Sequence, residues 1–343
     1  MAAKELYIKG RNSAISLQEA AQFSFSEEEY DRKRIYNMFE KYYGSTQYAD
    51  ELLLDSLENG FHELISSRLL QVLIAPHFAL KSYFAAFDQC TNKNHTQSSL
   101  LWDQGTAVLV GSMETINVGS SQTNGHSWFA LSKEYCAAFD RCEDNLTAGI
   151  EPVNNLMMAQ IESGRNAIMR RDCTPLHQHI RTMESLTLIP LLHGVLYHAA
   201  KRENGGIEQH FHFESAQAFG KALLPVFDVA SKSIADEVQK NLFTPNDSYS
   251  GSKSLWSAIA LLLPRLGISC DEIGFDSLGL MGGHTFCDFI SMVTEFPTSA
   301  PNTVETKVPT VVPTIRPTAE IAIIDSEVIR GYTFSNEVDA NAK

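Results

Sequence analysis

The feature that most restricts the fold is an absence: before residue 300 the chain almost lacks the period-two alternation of Val, Ile and Thr with polar residues that strands require. Apolar residues recur instead at three- and four-residue spacing, the signature of amphipathic helices. Ser26 with Glu29 forms a capping box ahead of Ile35, Met38, Phe39 and Tyr42, and Gly44 stops that helix. A second helix is expected from about Gln47 to Glu58, and the apolar segment Phe61 to Phe87 should break near Pro76. Leu100 to Ser112 and Ser127 to Phe139 read as helices on either side of a Ser/Gly/Asn-rich loop, Gly119 to Gly125. Pro152 and Pro175, behind Glu151 and Thr174, stand where first turns begin. They should open helices of about eighteen and twenty-eight residues, the second kinked at Pro190. Ile207 to Asn241, carrying Pro225, and Leu255 to Leu266 complete the series. The expected fold class is therefore mainly α, a multi-helix globular domain.

Six cysteines, Cys90, Cys136, Cys142, Cys173, Cys270 and Cys287, form no Cys-x-x-Cys metal or redox pair, and their even number suits a set of disulfides. Sequons at Asn94, Asn145 and Asn246 point the same way, toward glycosylation in an oxidising, extracellular, cell-surface or periplasmic setting. Met1 to Gly10 carries Lys4, Glu5 and Lys9 and no apolar core, so it is not a secretory signal; the chain is read as a mature or truncated form. No uninterrupted apolar run approaches membrane length, and no transmembrane segment is expected. With 27 basic against 41 acidic residues, a formal charge of −14 argues against nucleic acid as a partner.

Composition changes near the C-terminus, where five of twelve prolines and six threonines fall between residues 297 and 318. Such a stretch cannot bury a core. The expected organisation is a helical domain at 1–295, a Pro/Thr-rich spacer at 296–320 and a tail or the start of a further module at 321–343.

Catalytic signatures are missing: no Gly-x-Ser-x-Gly, Gly-x-Gly-x-x-Gly, P-loop or His-Glu-x-x-His occurs, so binding is expected rather than catalysis. Histidines cluster as His177 with His179, His193 with His198, and His210 with His212 and Glu214. Imidazole and carboxylate ligate iron and zinc. On a helix His210 and Glu214 share a face while His212 points elsewhere, and a solvated first turn explains the trio equally well. His193 and Tyr197, four apart beyond Pro190, offer an imidazole and a phenol, and phenolate prefers ferric iron. Asp103 lies in an otherwise apolar helix and must be paired, capped or metal-bound. Glu114 follows eleven residues later on the same stripe, about 16 Å along the axis, and either acid can meet Tyr43, Tyr48 or Asp50 from an earlier helix.

Taken in order, a series of elements resembles the algal low-iron-inducible periplasmic family, which includes iron-assimilatory proteins and phytotransferrins. They are Leu-Trp-Asp-Gln-Gly at 101–105, Val-Gly-Ser-Met-Glu at 110–114, and Leu-Ser-Lys-Glu-Tyr-Cys-Ala-Ala-Phe at 131–139 running into Cys142. Val-Asn-Asn at 153–155, Glu-Ser-Gly at 162–164, Cys173, Ile-Pro-Leu-Leu-His-Gly-Val-Leu at 189–196 and Ala-Phe-Gly-Lys-Ala-Leu-Leu-Pro at 218–225 continue the match. The resemblance implies a disulfide-bonded surface or periplasmic protein induced by iron starvation that captures Fe(III), with carbonate as synergistic anion in phytotransferrins. Expected ligands are Asp103 and Glu114, which fall in the family-like motif, with Tyr48, Asp50, Tyr197 and His198. For the anion, Arg165, Arg170 and Arg171 are the candidates, Arg165 being taken first. The alternative is an adhesion or receptor-binding helical module without metal, held out from a cell-surface or cell-wall partner by the Pro/Thr stalk.

Overall fold

The structure is a computed structural model, and it describes residues 3–9, 16–23, 34–58, 63–111, 127–142, 152–203, 208–244, 251–276, 279, 285 and 288. The chain divides into two units, Met1–Ser291 and Met292–Lys343; every described residue belongs to the first, and the expected spacer and tail lie outside them. Among the described residues there are helices and no strand, only an isolated antiparallel bridge between Phe275 and Thr285. The mainly α fold class is thus observed.

In chain order the helices are α1 (Ala3–Lys9), α2 (Leu17–Ala20), α3 (Arg34–Tyr43), α4 (Tyr48–Glu58), α5 (Glu63–Leu69), a π-helical turn (Leu70–Ile74), α6 (Ala75–Thr91), α7 (His95–Val110) and α8 (Trp128–Cys136). A 3₁₀ turn at Ala137–Phe139 leads on to α9 (Pro152–Met169), α10 (Leu176–Glu203), α11 (Gln209–Ala230), α12 (Lys232–Phe243), α13 (Ser252–Leu266) and α14 (Cys270–Ile273). Ser127 caps α8 by accepting the Ala130 amide at 3.1 Å, and α9 and α10 have the expected eighteen and twenty-eight residues. Ser26, Glu29, Gly119 to Gly125 and Asn204 to Gly206 lie outside the described residues.

One proline expectation needs correction. Pro76 does not break its segment: it sits in the first turn of α6, where a missing N–H costs little, and the preceding π turn absorbs the ring. Pro225 lies inside α11, and the division of that region comes at Ser231, whose backbone is extended. Pro190 is likewise accommodated within α10. The helix expected from Leu100 begins five residues earlier because Asn94, singled out as a sequon, is its N-cap. The run Ile65–Thr91 has the length and hydropathy of a membrane span although charges and polar residues punctuate it; 72% of its most apolar window is buried within the fold, as in a core helix.

The core centres on α10 and α11. Residues 186–196 of α10 are all buried, so this helix is enclosed on every side. The two helices run antiparallel, since His198 meets His212, Gly194 meets Phe219, and Leu188 shares a cavity wall with Val226. A methyl group at Gly194 would collide with the Phe219 ring, so this glycine sets the helix spacing. α11 also packs on α3, α5, α12 and α13, while α6 pairs with α7. All three tryptophans are buried; Trp102 lies over Gly164 of α9 and donates from its indole nitrogen to the Ile161 carbonyl at 2.9 Å.

Disulfides staple this unit as expected. Cys90–Cys173 joins the end of α6 to the turn before α10 across 83 residues, and Cys136–Cys142 closes a loop of six. Cys270 is also disulfide-bonded, while Cys287 lies outside the described residues. Such bonds belong to an oxidising environment.

Candidate functional site

The expected ligands do not gather in one place. Tyr48, at the start of α4, shares a 2.7 Å hydrogen bond with Nδ1 of His77 inside an aromatic nest of Phe23, Tyr36 and Phe39. Burial pushes the His77 imidazole down to about 3, so it stays neutral. Asp50, two residues on and turned to another side, accepts from the Tyr7 hydroxyl at 2.8 Å and from the Gln18 amide at 3.1 Å. It thereby ties α1 and α2 to α4. Both residues serve packing, with their polar atoms already answered.

Asp103 is paired, as an acid in an apolar helix must be, and its partner is Arg165 of α9 at 3.6 Å. That distance is an ion pair without a hydrogen bond, and burial raises the carboxyl above its usual range despite the guanidinium. Arg165 is therefore engaged with an acid rather than held ready for an anion. Glu114 was expected on the same stripe of that helix, but α7 ends at Val110, where Gly111 takes φ +89; Glu114 itself lies outside the described residues. Arg170 and Arg171 close α9 on its exposed side.

Tyr197 and His198 do stand in a constellation, and it includes residues that spacing had not joined. The Tyr135 hydroxyl of α8 lies 2.8 Å from His198 Nε2, and His198 Nδ1 lies 2.9 Å from Nδ1 of His212 on α11. His212 Nε2 faces the exposed Glu208 carboxylate at 3.8 Å. One proton arrangement satisfies the whole chain: Tyr135 donates to His198, His198 to His212, and His212 points its remaining N–H at Glu208. The Tyr197 ring closes the group, centred 5.4 Å from Tyr135, 5.2 Å from His198 and 6.1 Å from His212. Its hydroxyl makes no hydrogen bond among the described residues, and the side chain is partly exposed.

Beside this group Arg68 makes a bidentate contact with Glu134 and donates to the Gln71 carbonyl at 2.9 Å, while Gln71 reaches the Ser127 carbonyl. Arg68 ends α5 and Gln71 lies in the π turn, so the irregular backbone aims both side chains at α8. Burial raises the Tyr135 phenol well above its usual range, with Glu134 adding to the effect and Arg68 opposing it. Burial likewise holds His198 well below, and His212 below, the usual imidazole value, aided at His198 by Arg68 and His212. Both rings are neutral at pH 7, and their lone pairs accept the hydrogen bonds from Tyr135 and His198. The cluster offers two phenols, two imidazoles, two carboxylates and a guanidinium.

The remaining expected residues stand apart. His193 is fully buried, stacked on Phe139, and donates from Nε2 to the Ile273 carbonyl at 2.9 Å, which makes it a strut between α10 and α14. His210 pairs with Glu214 at 2.7 Å, the four-residue spacing read from the sequence. Cys90, Cys173 and His95 bring three donor atoms within 4.8 Å, yet the disulfide occupies both sulfurs. Asn94 is exposed, whereas Asn145 and Asn246 lie outside the described residues. Tyr135 is the residue that sequence reading passed over, although it lies within the quoted 131–139 element. Compared with models of protein families, with curated proteins and with solved structures, the chain has no match.

Proposed function

We propose that this chain is a secreted or cell-surface Fe(III)-binding protein of iron-starvation uptake, and that the cargo is taken at Tyr135, Tyr197 and His198. The observation that carries this reading is the 2.8 Å separation of the Tyr135 oxygen and His198 Nε2, with the Tyr197 ring against both. Two donors about 2.0 Å from one ion and at right angles to each other stand about 2.8 Å apart. Replacing the shared proton by a cation thus needs little movement. Phenolate oxygen and imidazole nitrogen suit a hard, highly charged ion, and the partly exposed Tyr197 gives a way in from solvent. Glu134 adds negative charge alongside. Carbonate, if it accompanies the metal, needs a guanidinium; Arg68 is in place and becomes available when its Glu134 pair opens. The disulfides and the resemblance to the low-iron-inducible family support the compartment and the physiological setting.

Titrating the oxidised protein with Fe(III), with and without bicarbonate, should give a visible phenolate-to-iron band. Tyr135→Phe and the surface-near Tyr197→Phe should each weaken or shift it, while Tyr48→Phe should not. Absence of both band and affinity would reject the proposal.

A further inference from the structure

A second set of ionisable groups lies at the other end of the α10–α11 pair, where four helices leave a cavity of ≈ 750 Å³. Arg181 and Glu184 come from α10, Arg34 from α3 and Arg265 from α13. Their separation from His198 along α10, fourteen residues from Glu184, corresponds to roughly 20 Å by the helical rise. Between the charged groups the walls are apolar, formed by Ile35, Met38, Leu188 and Val226.

The charges in this cavity are not balanced. Arg181 donates to Glu184 Oε2 at 2.7 Å. Arg34 makes no ion pair or hydrogen bond among the described residues, and Arg265 makes one, to the Ala230 carbonyl at 2.8 Å. Three guanidinium groups thus line the cavity against one carboxylate, Glu184, which Arg181 pairs directly and Arg34 reaches only electrostatically, on a chain whose 41 acidic residues outnumber its 27 basic ones. Glu184 Oε1 is buried there with no hydrogen-bond partner, so the wall also holds an acceptor that awaits a donor. A cavity of this size, walled about equally by apolar and polar groups, has room for a small amphipathic molecule.

We propose that this cavity binds an amphipathic organic acid, its anionic head held by Arg34 and Arg265 and its apolar body lying along Ile35, Leu188 and Val226. The carboxylate or phosphate head supplies the charge that the arginines lack, and a hydroxyl or protonated oxygen on the ligand meets Glu184 Oε1. The occupant is a free monomeric acid, because the apolar wall is set between four helices. The inference is independent of the iron reading, since it uses none of the residues proposed there.

The test uses the full oxidised chain, freed of metal by chelation, with dodecanoate as probe and isothermal titration as readout. Saturable one-to-one binding is expected below the micellar range, with dodecyltrimethylammonium at least tenfold weaker. The double variant Arg34→Gln/Arg265→Gln should weaken dodecanoate at least tenfold, and Arg34→Gln alone, at an exposed position that makes no hydrogen bond among the described residues, should weaken it measurably with an unchanged melting temperature. Equal affinity for the two surfactants, affinity untouched by the arginine variants, or no binding overturns the proposal. So does inorganic phosphate binding as tightly as dodecanoate, which would leave the apolar wall no part, or capture on phosphatidylglycerol vesicles without dodecanoate binding.

Discussion

Lowering the pH from 7 to 5 should destabilise this protein, and His193 and His77 should each contribute about 2 kcal/mol to the loss. Burial holds His193 at about 4 and His77 at about 3 in the folded chain, against about 6.5 when unfolded. Both folded values are depressed. Above pH 6.5 the imidazoles are neutral in either state and contribute no pH dependence; below it the unfolded chain takes up protons that the folded chain refuses. Stability therefore falls with pH from 6.5 down to the folded values, at up to 1.4 kcal/mol per pH unit per histidine. At pH 5, one and a half units below the unfolded value, each histidine has cost about 2 kcal/mol. Asp103, Glu162 and Glu184 are raised by burial and act in the opposite sense, offsetting part of the loss. Comparing a His193 variant with its parent over the same range isolates the one imidazole. His193→Gln keeps an N–H near the Nε2 position for the Ile273 carbonyl while removing the titration. Urea unfolding followed by circular dichroism at pH 7.0, 6.0 and 5.0 should show the variant losing about 2 kcal/mol less than the parent over this range. An unchanged pH dependence would refute the assignment of His193 as a buried, neutral imidazole.

Cys90→Ala/Cys173→Ala should cost about 4–5 kcal/mol and Cys136→Ala/Cys142→Ala about 2, because the loops they close span 83 and 6 residues; urea unfolding of the two double variants ranks them, and the reverse order would contradict the loop-entropy account. Gly164→Ala drives a methyl group into the Trp102 indole and should cost about 1–3 kcal/mol, read as a lower melting temperature with altered tryptophan fluorescence. Gly194→Ala should cost a similar amount, since the rigid Phe219 ring opposes it.

Much of the fold is legible in local chemistry. Ser127 and the prolines at 152 and 175 mark helix starts because capping and N-terminal proline are decided within one turn. Expectations failed where distant packing overrides a local cost. Pro76 is buried in a continuous helical segment, where neighbours hold the backbone that the ring would otherwise break. The candidate site was half legible for the same reason. His198 with Tyr197, and His212 with His210, are visible as separate clusters, each on its own helix. Nothing within either helix predicts that antiparallel pairing sets His198 against His212, or that α8 delivers Tyr135 to the same point. Asp103 illustrates the converse: the expectation that an acid there be paired, capped or metal-bound is met by the Arg165 guanidinium, 3.6 Å away.

One physical cause links the acid lability to the proposed cargo site. A metal ligand must be unprotonated, and an exposed histidine spends an appreciable fraction of its time as imidazolium near pH 6.5. Burying His198 behind Tyr135 and Phe219 removes that competition by making the charged form costly, as it does for His193 and His77 elsewhere in the core. The same desolvation works against the phenol, since it raises Tyr135 and so opposes formation of a phenolate in the metal-free chain. The two effects differ in consequence. Neutral imidazole is already the ligating form, whereas neutral phenol must lose its proton when a cation arrives, so Fe(III) uptake at the proposed site would release protons and strengthen with rising pH. On that proposal burial half prepares the site, and the trivalent charge of the ion would supply the rest.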